Sequence, residues 1–202
     1  MNKNRLEAFS DGVLAIIITI MVLEIKIPHS PNIQDLLQIY PTVLSYLLSF
    51  IYVGIYWNNH HHMIHTLQKV TGPLMWANLH LLFWLSLIPF ASGWLGENHY
   101  KPYPTMLYGV VLLMAAIAYF ILQGIIIRIE GRNSKLKLAV GNDWKGKVSV
   151  VCYLCAVCSA LIWPWFAQII YVIVAIMWLL PDRRIEKVMQ SANKQNAIKD
   201  RT

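Results

Sequence analysis

Long apolar blocks almost free of charge recur along the whole chain, and no other feature constrains its fold as strongly. A bilayer hydrocarbon core about 30 Å thick needs roughly 20 helical residues to cross it, at about 1.5 Å each. Six blocks approach that length, at roughly 9–27, 40–57, 74–95, 105–127, 148–163 and 165–181. Hydrophobic residues make up 57% of the chain, charged residues 13%, and the mean hydropathy is +0.48. A soluble globule has no interior large enough to hide such blocks. The expected fold class is therefore all-α and integral to the membrane, with six transmembrane helices per subunit. Residues 1–185 form the six-helix domain, and 186–202 a polar cytoplasmic tail.

The segments between the blocks carry helix and turn punctuation: Pro28, Pro31, Gly72, Pro73, Gly96, Pro102, Pro104, Gly131 and Gly141. The last two blocks share only 33 residues, Val148 to Leu180. A single helix of that length would be about 50 Å long, too long for the bilayer. Pro164 falls at the midpoint, so a hairpin of two short spans is expected. Lys3 and Arg5 precede the first block as in a secretory signal. However, Glu7 and Asp11 interrupt the basic region and no small-x-small site follows, so the block reads as a retained helix.

With the N-terminus inside, 15 of the 17 basic residues fall on inner segments, and only Lys26 and Lys101 face out. That asymmetry follows the positive-inside rule and sets both termini in the cytoplasm. The +7 net charge then reflects topology and attraction to anionic inner-leaflet lipid. Nucleic acid is not an expected partner. The expected location is a bacterial plasma membrane.

The first block carries the strongest functional pattern. Twelve uncharged residues separate Asp11 from Glu24, and Thr19 is the strong polar group among them. Gly12, Ile16, Thr19, Ile20 and Leu23 recur at i, i+4, i+7, i+8 and i+11, which places them on one helical face. Acids at both mouths of a path, Asp11 and Glu24, concentrate cations without trapping them between. Aliphatic rings along such a path gate by excluding water.

Arg5, Phe9, Ser10, Asp11 and Gly12, spaced as Arg-x-x-x-Phe-Ser-Asp-Gly ahead of an apolar span, resemble the signature of the endosomal/lysosomal potassium channel family (transmembrane protein 175 type). The resemblance is to its bacterial single-repeat members. Tyr56, Trp57, His60 and His61 are similar to the family's tryptophan-to-histidine segment, and Trp76, Asn78, Pro89 and Phe90 to its third span. These motifs cover about the first half of the chain; the second half agrees mainly in hydropathy. The resemblance implies a homotetramer that conducts potassium in preference to other cations, with the first helix of each subunit lining one axial pore. Carried over by position, the constriction falls on Ile16, Ile20 and Leu23, with Thr19 as its polar layer and Asp11 and Glu24 at the mouths. No TVGYG stretch is present to build a carbonyl filter.

Arg5, Phe9, Ser10 and Asp11 suggest a structural lock at the inner end of the first helix, with Asn78 and His80 as partners from the third span. An ionisable group at this depth is costly unless paired, so an Arg5–Asp11 pair is expected within or between subunits. His60, His61, His62 and His65 invite a metal reading, but no acid or cysteine lies nearby in sequence, and a basic cap or packing role is expected instead. Cys152, Cys155 and Cys158 lack a fourth ligand and read as packing residues. Phosphate-loop, dinucleotide, zinc-protease and nucleophile-elbow motifs are missing. The expectation is thus a channel without enzymatic activity, cofactor or metal, whose partners are potassium ions, the bilayer and copies of itself. A proton pathway or secondary transporter is the alternative, and a histidine-based membrane metal or haem protein a third reading.

Overall fold

The computed structural model describes residues 2–28, 30–131, 134–141 and 143–179. The expected tail, the arginines at 132, 183 and 184, and the end of the sixth block lie outside the described residues. All regular structure among them is helical: α1 (Lys3–Leu23), α2 (Ile33–Gln38), α3 (Tyr40–His65), α4 (Gly72–Ser86), α5 (Ile88–Glu97), α6 (Pro102–Glu130), α7 (Lys135–Val140), α8 (Trp144–Ala160) and α9 (Pro164–Leu179).

Of the prolines that read as loop punctuation, Pro73 and Pro102 open helices instead. Pro41, Pro73, Pro89 and Pro102 each sit in a first turn, and Pro164 begins α9. A first-turn residue needs no intrahelical acceptor for its N–H, so proline loses nothing there and supplies the helical φ in advance. The hairpin about Pro164 is formed as expected, with a turn in which Trp163 N donates to Ser159 O at 2.7 Å.

Two expectations are corrected. The block at 74–95 is one apolar run in sequence but two helices in space, broken at Leu87, because Pro89 cannot donate to the carbonyl of Leu85. The block at 40–57 ends where polar residues begin, yet α3 continues through Asn58, Asn59 and four histidines to His65. Hydropathy ends there; backbone hydrogen bonding does not. Lys3–Leu23, Gly72–Glu97 taken across its break, and Pro102–Glu130 are each long and apolar enough to cross a membrane.

Helix α6 is the centre of the bundle, packed against α4, α5, α8 and α9, while α1 lies against α3, α4 and α5. Fully buried alanines at 115, 118, 156, 160 and 167 let these helices approach closely, which is how apolar helices associate where lipid offers no hydrophobic contrast. Two glycines allow closer contacts still. A Cβ on Gly96 would stand 2.5 Å from Thr42 Cα, and one on Gly109 would stand 2.0 Å from the Tyr171 hydroxyl.

Successive long helices alternate in direction. Lys3 Nζ donates to His65 O at 2.7 Å, joining the start of α1 to the end of α3. Gln68 N donates to Glu130 Oε1 at 2.8 Å, adding the end of α6, and Gln123 Nε2 donates to Asp143 Oδ2 at 3.0 Å, adding the start of α8. At the opposite end, Lys26 pairs with Glu97 at 2.5 Å, and Tyr100 Oη donates to Pro41 O at 2.7 Å.

Candidate functional site: the two faces of the first helix

Helix α1 divides cleanly. Leu6, Ser10, Leu14, Ile17 and Met21 are buried against the bundle. Gly12, Ile16, Thr19, Ile20 and Leu23 are exposed on the other side, with Ile16 58% and Leu23 78% exposed, and the exposed Glu24 beyond them leans back toward Gly93 of α5. The face picked out by periodicity is therefore uncovered by the subunit's own helices. Thr19 Oγ1 donates to Ile16 O at 2.8 Å, so its proton is committed to the helix and its lone pairs face outward. Between this face and the α4–α5 break lies an open groove of about 370 Å³ lined by Val13, Ile16, Ile20, Ser86, Pro89 and Phe90.

The buried face carries a polar chain. Asn78 Nδ2 donates to Ser10 Oγ at 2.9 Å, and Ser10 Oγ donates to Leu6 O at 2.9 Å. Asn78 Oδ1 is then the acceptor for His60 Nε2, 2.7 Å away, which assigns the proton of a neutral His60 ring to Nε2. His60 Nδ1 is buried with no hydrogen-bond partner among the described residues. One asparagine thus ties α1 to α3 through α4.

Four of the expected lock positions are placed differently by the structure. His80 does not reach Asn78 or Ser10; it accepts from Trp84 Nε1 at 3.0 Å, one turn along its own helix, and His60 takes the expected place. The exposed Arg5 side chain makes no hydrogen bond or ion pair among the described residues, so no Arg5–Asp11 pair exists within the subunit. Asp11 accepts instead from Trp57 Nε1 at 3.0 Å. Phe9 is 52% exposed and stands outside the buried chain.

The structure also adds a contact that sequence reasoning missed. Glu7 lies 2.8 Å from His61 Nδ1, bringing an acid to the histidine segment from another helix. Glu7 lies two turns before Leu14 on α1, but only the packing of α1 on α3 discloses the pair. His61 rests against Trp57, His62 and His65. Among the described residues no three His, Cys, Asp or Glu side chains gather as metal ligands.

A helical bundle with membrane-length apolar spans, one uncovered helix face and a buried polar chain holding that helix in place belongs to the class of polytopic membrane proteins. Comparison with known proteins narrows this. The family described as endosomal/lysosomal potassium channel TMEM175 matches residues 5–89. A potassium channel of Chryseobacterium sp. (strain P1-3) is 54% identical over 190 residues, covering 94% of this chain and 99% of that protein. The crystal structure of a lysosomal potassium-selective channel TMEM175 homologue from Chamaesiphon minutus superposes with a TM-score of 0.79. It is 26% identical and spans 89% of this chain and 97% of its own. The human endosomal/lysosomal proton channel TMEM175 is 31% identical over 103 residues, 45% of this chain and 20% of that protein. The chain belongs to the TMEM175 family of ion channels.

Proposed function

We propose that this chain is a potassium-preferring cation channel of a bacterial plasma membrane, assembled as a homotetramer in which four α1 helices enclose one axial pore. Six spans per subunit, with α4 and α5 counted as one, leave both termini in the cytoplasm. Ile16, Ile20 and Leu23 form the aliphatic constriction, Thr19 the polar layer, and Asp11 and Glu24 the mouths. The observation that carries this reading is the uncovered face of α1: its apolar side chains face away from the subunit while the opposite side is fixed by Ser10 and its partners. A fourfold ring of such faces closes a path without any open edge. Potassium loses its hydration shell more readily than sodium, and hydroxyl and aliphatic rings offer few strong dipoles, so the preference for potassium is modest.

In the assembled channel Arg5 pairs across the subunit interface with an acid of a neighbouring α1. His60, Asn78 and Ser10 hold each α1 in register, so that the constriction residues of the four copies stay level.

The test is flux in liposomes under potassium and sodium gradients, comparing the parent with Ile16→Asn. Parent vesicles pass potassium faster than sodium, and the variant passes both faster because a polar ring wets the constriction. Potassium movement no faster than in empty vesicles, or unchanged flux in Ile16→Asn, overturns the assignment. The vertebrate relatives named as proton channels favour a second reading, proton passage along the same path. A pH-sensitive dye trapped in the same vesicles reads that separately.

A further inference from the structure

Away from α1, one side of α6 carries a dent near the end of the bundle where α1 begins. Phe120, Gly124 and Ile127 recur at i, i+4 and i+7 and so lie along one side of that helix. Phe120 is 46% exposed, and a Cβ on Gly124 would meet nothing within 4 Å, so the missing side chain leaves an open gap. An open recess of about 150 Å³ is bounded by these three residues together with Lys137, Gly141, Asp143 and Lys147. Gly124 stands about 33 Å along α6 from Pro102, at about 1.5 Å per residue. A bilayer hydrocarbon core is about 30 Å thick, so with Pro102 at one surface the dent lies at the headgroups of the other. Tyr103, beside Pro102, and Trp144, beside Asp143, are both exposed, as interfacial aromatic side chains are.

Two lysines reach this recess from different helices. Leu136, 1% exposed, holds α7 against the bundle, and the adjacent Lys137 donates from Nζ to Gly141 O at 3.0 Å. An ammonium group has three N–H donors, so this bond fixes its place without exhausting it. Lys147 comes from the first turn of α8. The acid at the recess, Asp143, is turned to the protein: its carboxylate accepts from Gly146 N at 3.1 Å and from Gln123 Nε2 at 3.0 Å. Two ammonium groups against one carboxylate give the lining a net charge of +1. An apolar dent that ends in a positive recess at headgroup depth is complementary to an amphiphile with one negative charge at its polar end. We propose that each subunit holds, against the Gly124 side of α6, one anionic glycerophospholipid of the phosphatidylglycerol type. Lys137 and Lys147 hold its phosphodiester, and an acyl chain runs over Gly124 and Phe120. The recess has the volume of about five waters, at about 30 Å³ each, which suits the phosphodiester while the chains stay in the bilayer. A zwitterionic phospholipid brings an ammonium group beside two lysines and binds less well. The site shares no residue with the pore assigned to α1, and the inference does not rest on the conduction reading.

Native mass spectrometry of the intact, detergent-solubilised protein, titrated with phosphatidylglycerol or with phosphatidylcholine of the same chains, tests it. The expected result is phosphatidylglycerol binding at least fivefold tighter than phosphatidylcholine. The double variant Lys137→Gln, Lys147→Gln brings it down to the phosphatidylcholine level. Gly124→Leu keeps every charge, fills the dent and weakens binding at least threefold; leucine is the better helix former and meets no neighbour there, so the fold is kept. Lys69→Gln removes a cation at the same end of the bundle but outside the recess, and leaves binding unchanged. Equal binding of the two lipids by the parent overturns the site. So does an equal loss in Lys69→Gln and the double variant, which would mean diffuse charge attraction, and so does parental binding in Gly124→Leu. Soluble glycerol phosphate binding as tightly as the lipid would make this a free-phosphate site and overturn the lipid assignment. A protein that conducts potassium but shows no preference for the anionic lipid refutes this site alone.

Discussion

His60 Nε2 lies 2.7 Å from Asn78 Oδ1, and this one contact joins α3 and α4 at the point where Asn78 also holds Ser10 of α1. All three side chains are buried. Truncating Asn78 to alanine strands the His60 Nε2–H, while the Ser10 hydroxyl loses a donor but keeps its own bond to Leu6 O. The expected loss is about 1–3 kcal/mol of stability, the usual penalty for a buried polar group left unpaired. Thermal unfolding in detergent measures it. Ser10→Ala leaves Asn78 Nδ2 without its acceptor but keeps the His60–Asn78 bond and deletes a single oxygen, so it costs less.

Thr19 spends its proton on Ile16 O and turns its lone pairs outward. Thr19→Val keeps the shape and removes those acceptors, whereas Thr19→Ser keeps them. Potassium flux in liposomes is expected to fall in the valine variant and persist in the serine variant. Equal flux in all three proteins would remove Thr19 from the ion path.

The Arg5 side chain has no partner within its own subunit among the described residues. Arg5→Ala therefore changes unfolding of the isolated subunit by no more than about 0.5 kcal/mol, the usual range for exposed positions. If Arg5 pairs between subunits, the same substitution lowers the tetramer fraction seen by native mass spectrometry. An undiminished tetramer would refute the pairing.

Gly109 faces the Tyr171 hydroxyl, whose own hydrogen bond to Thr105 O at 3.1 Å keeps it from swinging away. Gly109→Ala forces α6 and α9 apart at a cost of about 1–3 kcal/mol, typical of overpacking. Adding Tyr171→Phe removes the closest atom and recovers part of that loss, but not all, because the ring carbon Cζ would still stand 2.9 Å from the new Cβ. Unfolding midpoints of the two variants decide this.

Much of the fold was legible because hydropathy reports helix after helix directly. The α8–α9 hairpin followed from Pro164 and the shortness of its two blocks, and the outward face of α1 followed from spacing alone. The break at Leu87 was not legible: the residues around Pro89 are as apolar as those of an unbroken span, and hydropathy ignores the missing N–H. The extension of α3 to His65 was missed for the converse reason, since Asn58 to His65 are polar yet helical. At the site, Ser10 and Asn78 were foreseen together, but His80 was chosen over His60. His80 is nearer to Asn78 in sequence, at two positions' distance, and that spacing puts it on a different side of α4. His60 arrives from α3, eighteen positions away, through packing that no local pattern encodes.

The division of α1 into a committed face and an uncovered one separates two kinds of heritable change. Replacements at Ser10, Leu14, Ile17 or Met21 disturb the subunit's architecture. Those at Ile16, Thr19, Ile20 or Leu23 fall on the exposed face, where they disturb at most the groove beside Ser86, Pro89 and Phe90 and the back-bond of Thr19 to its own helix. Lineages sharing this scaffold are therefore at liberty to diversify the second set while conserving the first.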